Sequence, residues 1–215
     1  MRITPELFSA FLHFFIRDVG NVREPSEAAF RLANEYGRTA VSGYAAGCIG
    51  WVEALEGDGA KGLKEIQRSL AVISLAGNKI RTLQDVQLLE CHLRRGDLEE
   101  GLAVAADALA HAYRTGERYC ASELNRLNGE LLLRQGPSRH TEAESSFRTA
   151  IEVARAQQAR WWELRATVSL TRLLAQQGKR DEAHAMLAEI YNWFTEGFDT
   201  AGLKDAKELL DELGA

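Results

Sequence analysis

Proline is scarce in this chain, three residues in 215, and cysteine is as rare. Few prolines and a high apolar content exclude collagen-like and disordered classes. Cys48, Cys91 and Cys120 are odd in number and widely spaced, with no Cys-x-x-Cys. That excludes a disulfide-stapled scaffold and any zinc template, and it fits a reduced compartment, so the expected location is cytoplasmic. Long apolar runs are missing too. The longest stretch without a charged residue, Thr39 to Val52, is 14 residues, short of the roughly 20 that span a bilayer. The apolar segment from Phe8 to Ile16 is interrupted or bounded by Glu6, His13, Arg17 and Asp18, and no small-residue cleavage site follows it, so it reads poorly as a secretory signal. The chain has no run of lysine or arginine and a net charge of −5. Nucleic acid is therefore not expected as a ligand, because phosphate neutralisation is the largest sequence-independent term in such binding. No membrane partner is expected either.

What remains is 46% hydrophobic and 27% charged, enough apolar material for one compact domain or one short array of repeats. Charge is zoned: net −3 over residues 1–117, +5 over 118–180 and −7 over 181–215. The basic zone is either a docking surface for an acidic segment or the counterpart of the acidic one across adjacent helices.

Glycine sets the organisation. Gly37, Gly57, Gly77, Gly96, Gly116, Gly136, Gly178 and Gly197 fall at intervals of 20, 20, 19, 20, 20, 42 and 19. The double interval passes through Ala156 to Ala159, where a turn without glycine fits. Glycine just past a helix end adopts the left-handed conformation without a Cβ penalty, so the rhythm predicts short turns between helices. Between the glycines, apolar residues recur at three and four: Leu124, Leu127 and Leu131; Phe147, Ala150 and Ile151; Leu203, Ala206, Leu210 and Leu213. This is helical periodicity, and such a stripe needs a neighbour to cover it. The expected helices are 4–18, 25–36, 40–56, 60–76, 79–95, 98–115, 118–135, 140–157, 160–177, 180–195 and 200–213. The last is expected to be a cap, with Asp199 or Thr200 at its N-terminus and Glu208, Asp211 and Glu212 in water.

Two helices make a unit of about 40 residues. Aligned on the second helix, Gly62, Gly101, Ala143 and Ala183 share one position; Ile66, Ala105, Phe147 and Leu187 stand four later, and Ser69, Ala108, Ala150 and Ile190 seven later. The small residue lets the second helix cross the first closely, and the larger one fills the groove between them. Gly-x-x-x-Glu-Ala with a larger apolar residue four on and a small one seven on resembles the tetratricopeptide repeat. The resemblance implies an all-α fold, a right-handed α-solenoid of about eleven helices. It makes 1–215 a single repeat domain, with units at 1–38, 39–77, 78–116, 117–158 and 159–197 and a capping helix at 199–213.

The C-terminal third is similar to a narrower group. Ala143 to Phe147, Ala159-Arg160-Trp161-Trp162-Glu163-Leu164-Arg165-Ala166, Gln177 to Ala183 and Trp193 to Leu213 are similar to the C-terminal repeat region of large bacterial signalling ATPases. In that group the repeats follow a STAND-type P-loop ATPase, often with a class III adenylate/guanylate cyclase or a DNA-binding domain at the N-terminus. The resemblance implies, as an alternative function, a regulatory or sensor region of such an ATPase or cyclase. The ATPase and cyclase parts are not in this sequence, so their chemistry does not transfer.

Gly57-Asp58-Gly59-Ala60-Lys61-Gly62 lacks the spacing and hydroxyl residue of a P-loop and reads as a turn between helices. Cys91, His92, His111 and Cys120 show no ligand spacing and no marked base for a nucleophile. Trp161 and Trp162 read as packing residues. No enzyme activity, cofactor or metal is expected.

The expected function is therefore a non-catalytic protein-interaction module, binding a partner along a concave groove lined by the first helices. Tyr44, Trp51, Glu90, Arg94, Asn125, Arg165 and Arg172 are expected on that wall, offering aromatic anchors and planar guanidinium contacts to an acidic or aromatic-containing partner segment. Phe8, Phe11, Phe14 and Phe15 crowd the first helix beyond what one neighbour covers. That helix is either a cap folded inward or a self-association edge, and a homodimer through it is the reading carried forward.

Overall fold

A computed structural model describes residues 3–77 and 80–214. These residues form eleven α-helices and two short 3₁₀ turns, with no strand among them. The helices group into two compact units, Met1–Asp97 and Leu98–Ala215. The first unit holds α1 (Ile3–Phe15), α2 (Arg23–Glu35), α3 (Thr39–Glu56), α4 (Gly59–Leu75) and α5 (Thr82–Arg95). The second holds α6 (Leu98–Thr115), α7 (Ala121–Gln135), α8 (His140–Ala156), α9 (Arg160–Gln176), α10 (Arg180–Tyr191) and α11 (Ala201–Gly214).

Within each unit every helix packs on the next. Alternate helices also touch: α1 meets α3 and α3 meets α5 in the first unit, while α7 meets α9 and α9 meets α11 in the second. Within each unit the odd-numbered helices thus form a layer and the even-numbered ones brace it. Burial follows the layers. From Ser122 to Leu127 on α7 every residue is buried, whereas α8 buries only the stripe of Ala143, Phe147, Ala150, Ile151 and Ala154.

All twelve aligned positions of the second helices are buried. The close approach expected at the small position is real. A Cβ on Gly62 would stand 2.5 Å from the amide nitrogen of Ala54 and the carbonyl of Gly50, both on α3. The equivalent fit in the second unit comes from the other side. The Phe147 ring of α8 lies on Gly129 of α7, where a Cβ would be 2.5 Å from ring atom Cε1.

The helix ends match the expected ones within a few residues, with informative exceptions. The expected start of the fifth helix at residue 79 lies outside the described residues. The tenth helix, expected to reach 195, ends at Tyr191, where an aromatic turn begins with Trp193 edge-on to Phe194 at 5.2 Å. Six of the eight spacing glycines carry a φ between 65 and 80°, as the left-handed turn requires. Gly57 does not. Its φ is −130°, outside the left-handed region, and Asp58 makes the turn by accepting hydrogen bonds from the amides of Ala60 and Lys61 and capping α4. Gly136 has φ 118° and ψ 178°, a region closed to other residues, and leads into Pro137 at the start of a 3₁₀ turn. The turn without glycine uses Gln158 at φ 56°. At the last helix, Thr200 precedes Ala201, but its hydroxyl donates to the Gly197 carbonyl rather than capping the helix amides.

Candidate functional site

The layer of odd-numbered helices carries charge where its apolar stripes end. In the first unit, Trp51 of α3 is fully buried. Its ring meets Phe14 of α1 edge-on at 4.8 Å, and its indole N–H donates to Glu90 Oε2 of α5 at 2.6 Å. The other oxygen of Glu90 accepts from Arg17, which follows α1, and the Arg17 guanidinium lies 5.9 Å from the centre of the Trp51 ring. Tyr44, two turns before Trp51, stacks edge-on with Phe11 at 6.1 Å and donates its hydroxyl to the Ile80 carbonyl at 2.6 Å. Arg94, one turn beyond Glu90, is exposed. The structure therefore brings Trp51 and Glu90 into contact and adds Arg17, which the sequence did not single out for this wall.

In the second unit the charges form a ladder across three helices. Glu123 of α7 is 1% exposed and accepts from two arginines, Arg126 on its own helix at 2.7 Å and Arg165 of α9 at 2.9 Å. Arg126 also reaches Glu130 at 3.2 Å, and Ser169 of α9 donates to the same Glu130 at 2.6 Å. Arg165 stacks over Trp162 with 5.5 Å between guanidinium carbon and ring centre. One turn past Ser169, the exposed Arg172 pairs with Asp205 of α11. Asn125 is buried and donates to the Ala121 carbonyl at 2.8 Å, which turns its amide onto its own helix.

Sequence reasoning placed Arg165 and Arg172 on this wall and missed Glu123, Arg126, Glu130 and Ser169. A signal existed. Glu123, Arg126 and Glu130 stand at i, i+3 and i+7, beside the stripe of Leu124, Leu127 and Leu131, so one helix carries an apolar face and a charged face side by side.

The zoned charge also finds its partners. Arg148, Arg155 and Arg172 of the basic zone pair with Glu182, Glu189 and Asp205 of the acidic zone, each across neighbouring helices. Of the two readings of that zoning, the structure displays mutual neutralisation.

The other candidates separate. Cys48 and Cys91 are buried, and desolvation pushes both thiols up to about 12, far from the thiolate that nucleophilic or metal chemistry needs. His92 stands 3.6 Å from Asp97 and His111 3.2 Å from Glu117, each at its own helix end. Among the described residues no group of three or more His, Cys, Asp or Glu could hold a metal ion. Trp161 packs on Gly202 and meets Phe194 edge-on at 6.4 Å. On the N-terminal helix, Phe14 and Phe11 face inward on Trp51 and Tyr44, and Phe15 is half-buried beside Phe14, which leaves Phe8 and Leu12 as its exposed apolar side chains. An open hollow of about 510 Å³ between α10 and α11 is lined by His184, Tyr191, Asn192 and the Lys207 and Asp211 pair. No helix among the described residues is long and apolar enough to cross a membrane.

Successive packed helices with small residues at their crossing points give each unit a helical-repeat fold of the tetratricopeptide type. Solved structures agree. The chain is similar to the tetratricopeptide-like repeats of a Podosopora anserina putative kinesin light chain, with 14% identity and a TM-score of 0.58 over 88% of this chain and 92% of that one. It is also similar to the apo form of RapI, with 11% identity and a TM-score of 0.61 over 98% of this chain and 81% of that one. At these identities the likeness is one of fold. No family model matches the sequence, and no curated protein matches it.

Proposed function

We propose that the chain is a non-catalytic protein-interaction module whose odd-numbered helices bind a segment of a partner protein. The observation that carries this reading is the charged ladder of α7 and α9. Holding Glu123 at 1% exposure between Arg126 and Arg165 costs desolvation that apolar side chains of similar size would avoid, so such a set is weak as a device for stability and is better suited to specificity. A fixed pattern of donors and acceptors on one wall is what recognition of a polypeptide uses.

Arg172 is the exposed member of the set and is what an acidic partner segment meets first, displacing Asp205. Arg165 is held by Glu123 and acts from behind. Exposed ion pairs contribute little to stability, so Arg172→Glu leaves the fold intact. It is expected to lower capture of the partner by roughly tenfold or more, the scale of a central contact. Unchanged capture, with an unchanged circular dichroism spectrum, removes this wall from the proposal.

A homodimer through the N-terminal helix has Phe8 and Leu12, 64% and 58% exposed, as its apolar contacts. A monomeric mass at high concentration by light scattering removes it. A regulatory role beside a signalling ATPase or nucleotide cyclase rests on the sequence resemblance alone. The cytoplasmic assignment rests on Cys48, Cys91 and Cys120, buried and outside any disulfide.

A further inference from the structure

We propose that Trp51 and Glu90 form a guanidinium subsite, held in this state by the chain's own Arg17 and accepting an arginine side chain of the partner segment when Arg17 leaves. The inference deepens the interaction reading by naming one chemical element of the partner, and rests on it for that element alone.

Arg17 stands at an odd place for an arginine. After α2, α5 and α9 the chain closes the helix with a bond from an amide back to a carbonyl five residues earlier: Arg38 to Ala33, Asp97 to His92, Lys179 to Leu174. The residue just before each of those amides is a glycine with φ between 65 and 80°: Gly37, Gly96 and Gly178. At α1 the same bond runs from Asp18 to His13, and the residue in the glycine position is Arg17, at φ 61°. L-residues with side chains are uncommon there. Gln158, at φ 56° before the Ala159-to-Ala154 bond, is the other non-glycine in this position among the described residues, and what sets Arg17 apart is what its side chain does. It spans from the end of α1 to Glu90 of α5, across the face of Trp51.

The receiving groups make a built site. The Glu90 carboxylate is 6% exposed and oriented by the Trp51 indole N–H at 2.6 Å on one oxygen, which leaves the other directed at the guanidinium. The Trp51 ring is held from behind by Phe14 and offers its π-face to the cation. A carboxylate beside an aromatic face recognises a planar cation and prefers guanidinium to a neutral group of the same shape. The occupant differs in kind from the site. Arg17 is 36% exposed at its side chain, sits in a disfavoured backbone conformation, and is joined to α1 by a single turn. It is the part that can leave while Trp51 and Glu90 stay in place. While it is bound, the apparent affinity for an external arginine is reduced by the fraction of molecules in which the subsite is open.

The test replaces Arg17 with glycine, which suits the local backbone and removes the side chain. The Trp51 indole resonance, assigned with Trp51→Phe, is followed by NMR in the full chain during titration with N-acetyl-arginine amide and, separately, with the citrulline analogue. Arg17→Gly is expected to bind the arginine derivative at least about tenfold more tightly than the wild type, to ignore citrulline, and to lose the binding when Glu90→Gln is added. Equal titration of wild type and Arg17→Gly overturns the proposal. So does equal response to arginine and citrulline, or binding that survives Glu90→Gln. An Arg17→Gly chain that no longer folds overturns it too, because the clasp is then a requirement of the core. None of these variants touches the ladder of the second unit, so failure here leaves the interaction reading to its own test at Arg172.

Discussion

Gly129 and Phe147 show what a single side chain decides in this molecule. The ring is fully buried and lies where a Cβ of residue 129 would stand. Removing it by Phe147→Ala is expected to cost about 3–5 kcal/mol, the range for large-to-small changes in a packed core. Adding one methyl by Gly129→Ala is expected to cost about 1–3 kcal/mol, since the ring must move. The two sites are in contact, so pairing Gly129→Ala with Phe147→Leu should recover at least about 0.5 kcal/mol relative to additive losses. Urea unfolding of the wild type, the three single variants and the double variant measures all of these, and additive losses would show that the ring does not rest on Gly129. This contact also marks a limit of reading residues from sequence. The motif of the second helix locates Phe147 correctly, but that its ring rests on Gly129 depends on how α7 and α8 cross. Similarly, the sequence put Trp51 and Glu90 on one wall by counting turns, whereas the part played by Arg17 follows from a backbone conformation that no residue pattern announces.

At the scale of the element, helix ends are where local chemistry and the repeat meet. Gln158 occupies a left-handed turn that glycine fills elsewhere. The side chain that donates to the Arg118 carbonyl at 2.6 Å is that of its neighbour Gln157, so Gln158→Gly leaves that bond in place. It should raise stability by about 0.5–1 kcal/mol, the left-handed penalty less the extra chain entropy of glycine. Gly178→Ala, at φ 80°, should move stability the other way by about 1 kcal/mol. A rise in the urea midpoint for the first and a fall for the second test the assignment. Asp58 supplies a pH signature. The amide N–H groups of Lys61 and then Ala60 hold its carboxyl below the usual range. A carboxyl lowered by folding contributes stability that is present above its ordinary range and lost as pH falls through its folded value. Asp58→Ala should therefore be less stable than the wild type at about pH 7, and the difference should shrink towards about pH 3. A difference independent of pH would assign the cap's effect to something other than the charge. The helices themselves were legible because each combines a 3.6-residue apolar period with a glycine or an acidic first turn. Gly57 misleads for a physical reason: the aspartate after it, rather than glycine, makes the turn.

For the whole molecule, the all-helical repeat architecture was legible because stacked units must bury equivalent faces, and that repetition leaves a period in the glycines and in the small-large-small pattern. The charged wall was legible only in outline. Packing demands fix the apolar stripe, whereas the charged stripe beside it answers to pairing across helices far apart in sequence: Glu123 with Arg165, Trp51 with Glu90, Arg172 with Asp205. Charge totals by zone anticipated only the pairs that cross zones, such as Arg172 with Asp205, and without naming them. Those pairs are also what the proposed function stands on, and position-specific crosslinking addresses them directly. A photoreactive residue is placed in the ladder at Arg172, which is exposed, and on an even-numbered helix of the same unit at Glu189, 76% exposed. Each chain is irradiated in lysate of the source cell. The interaction reading predicts that one polypeptide is joined from Arg172 and is absent, or reduced roughly tenfold, from Glu189. The same polypeptide joined from Glu189 and not from Arg172 would contradict it.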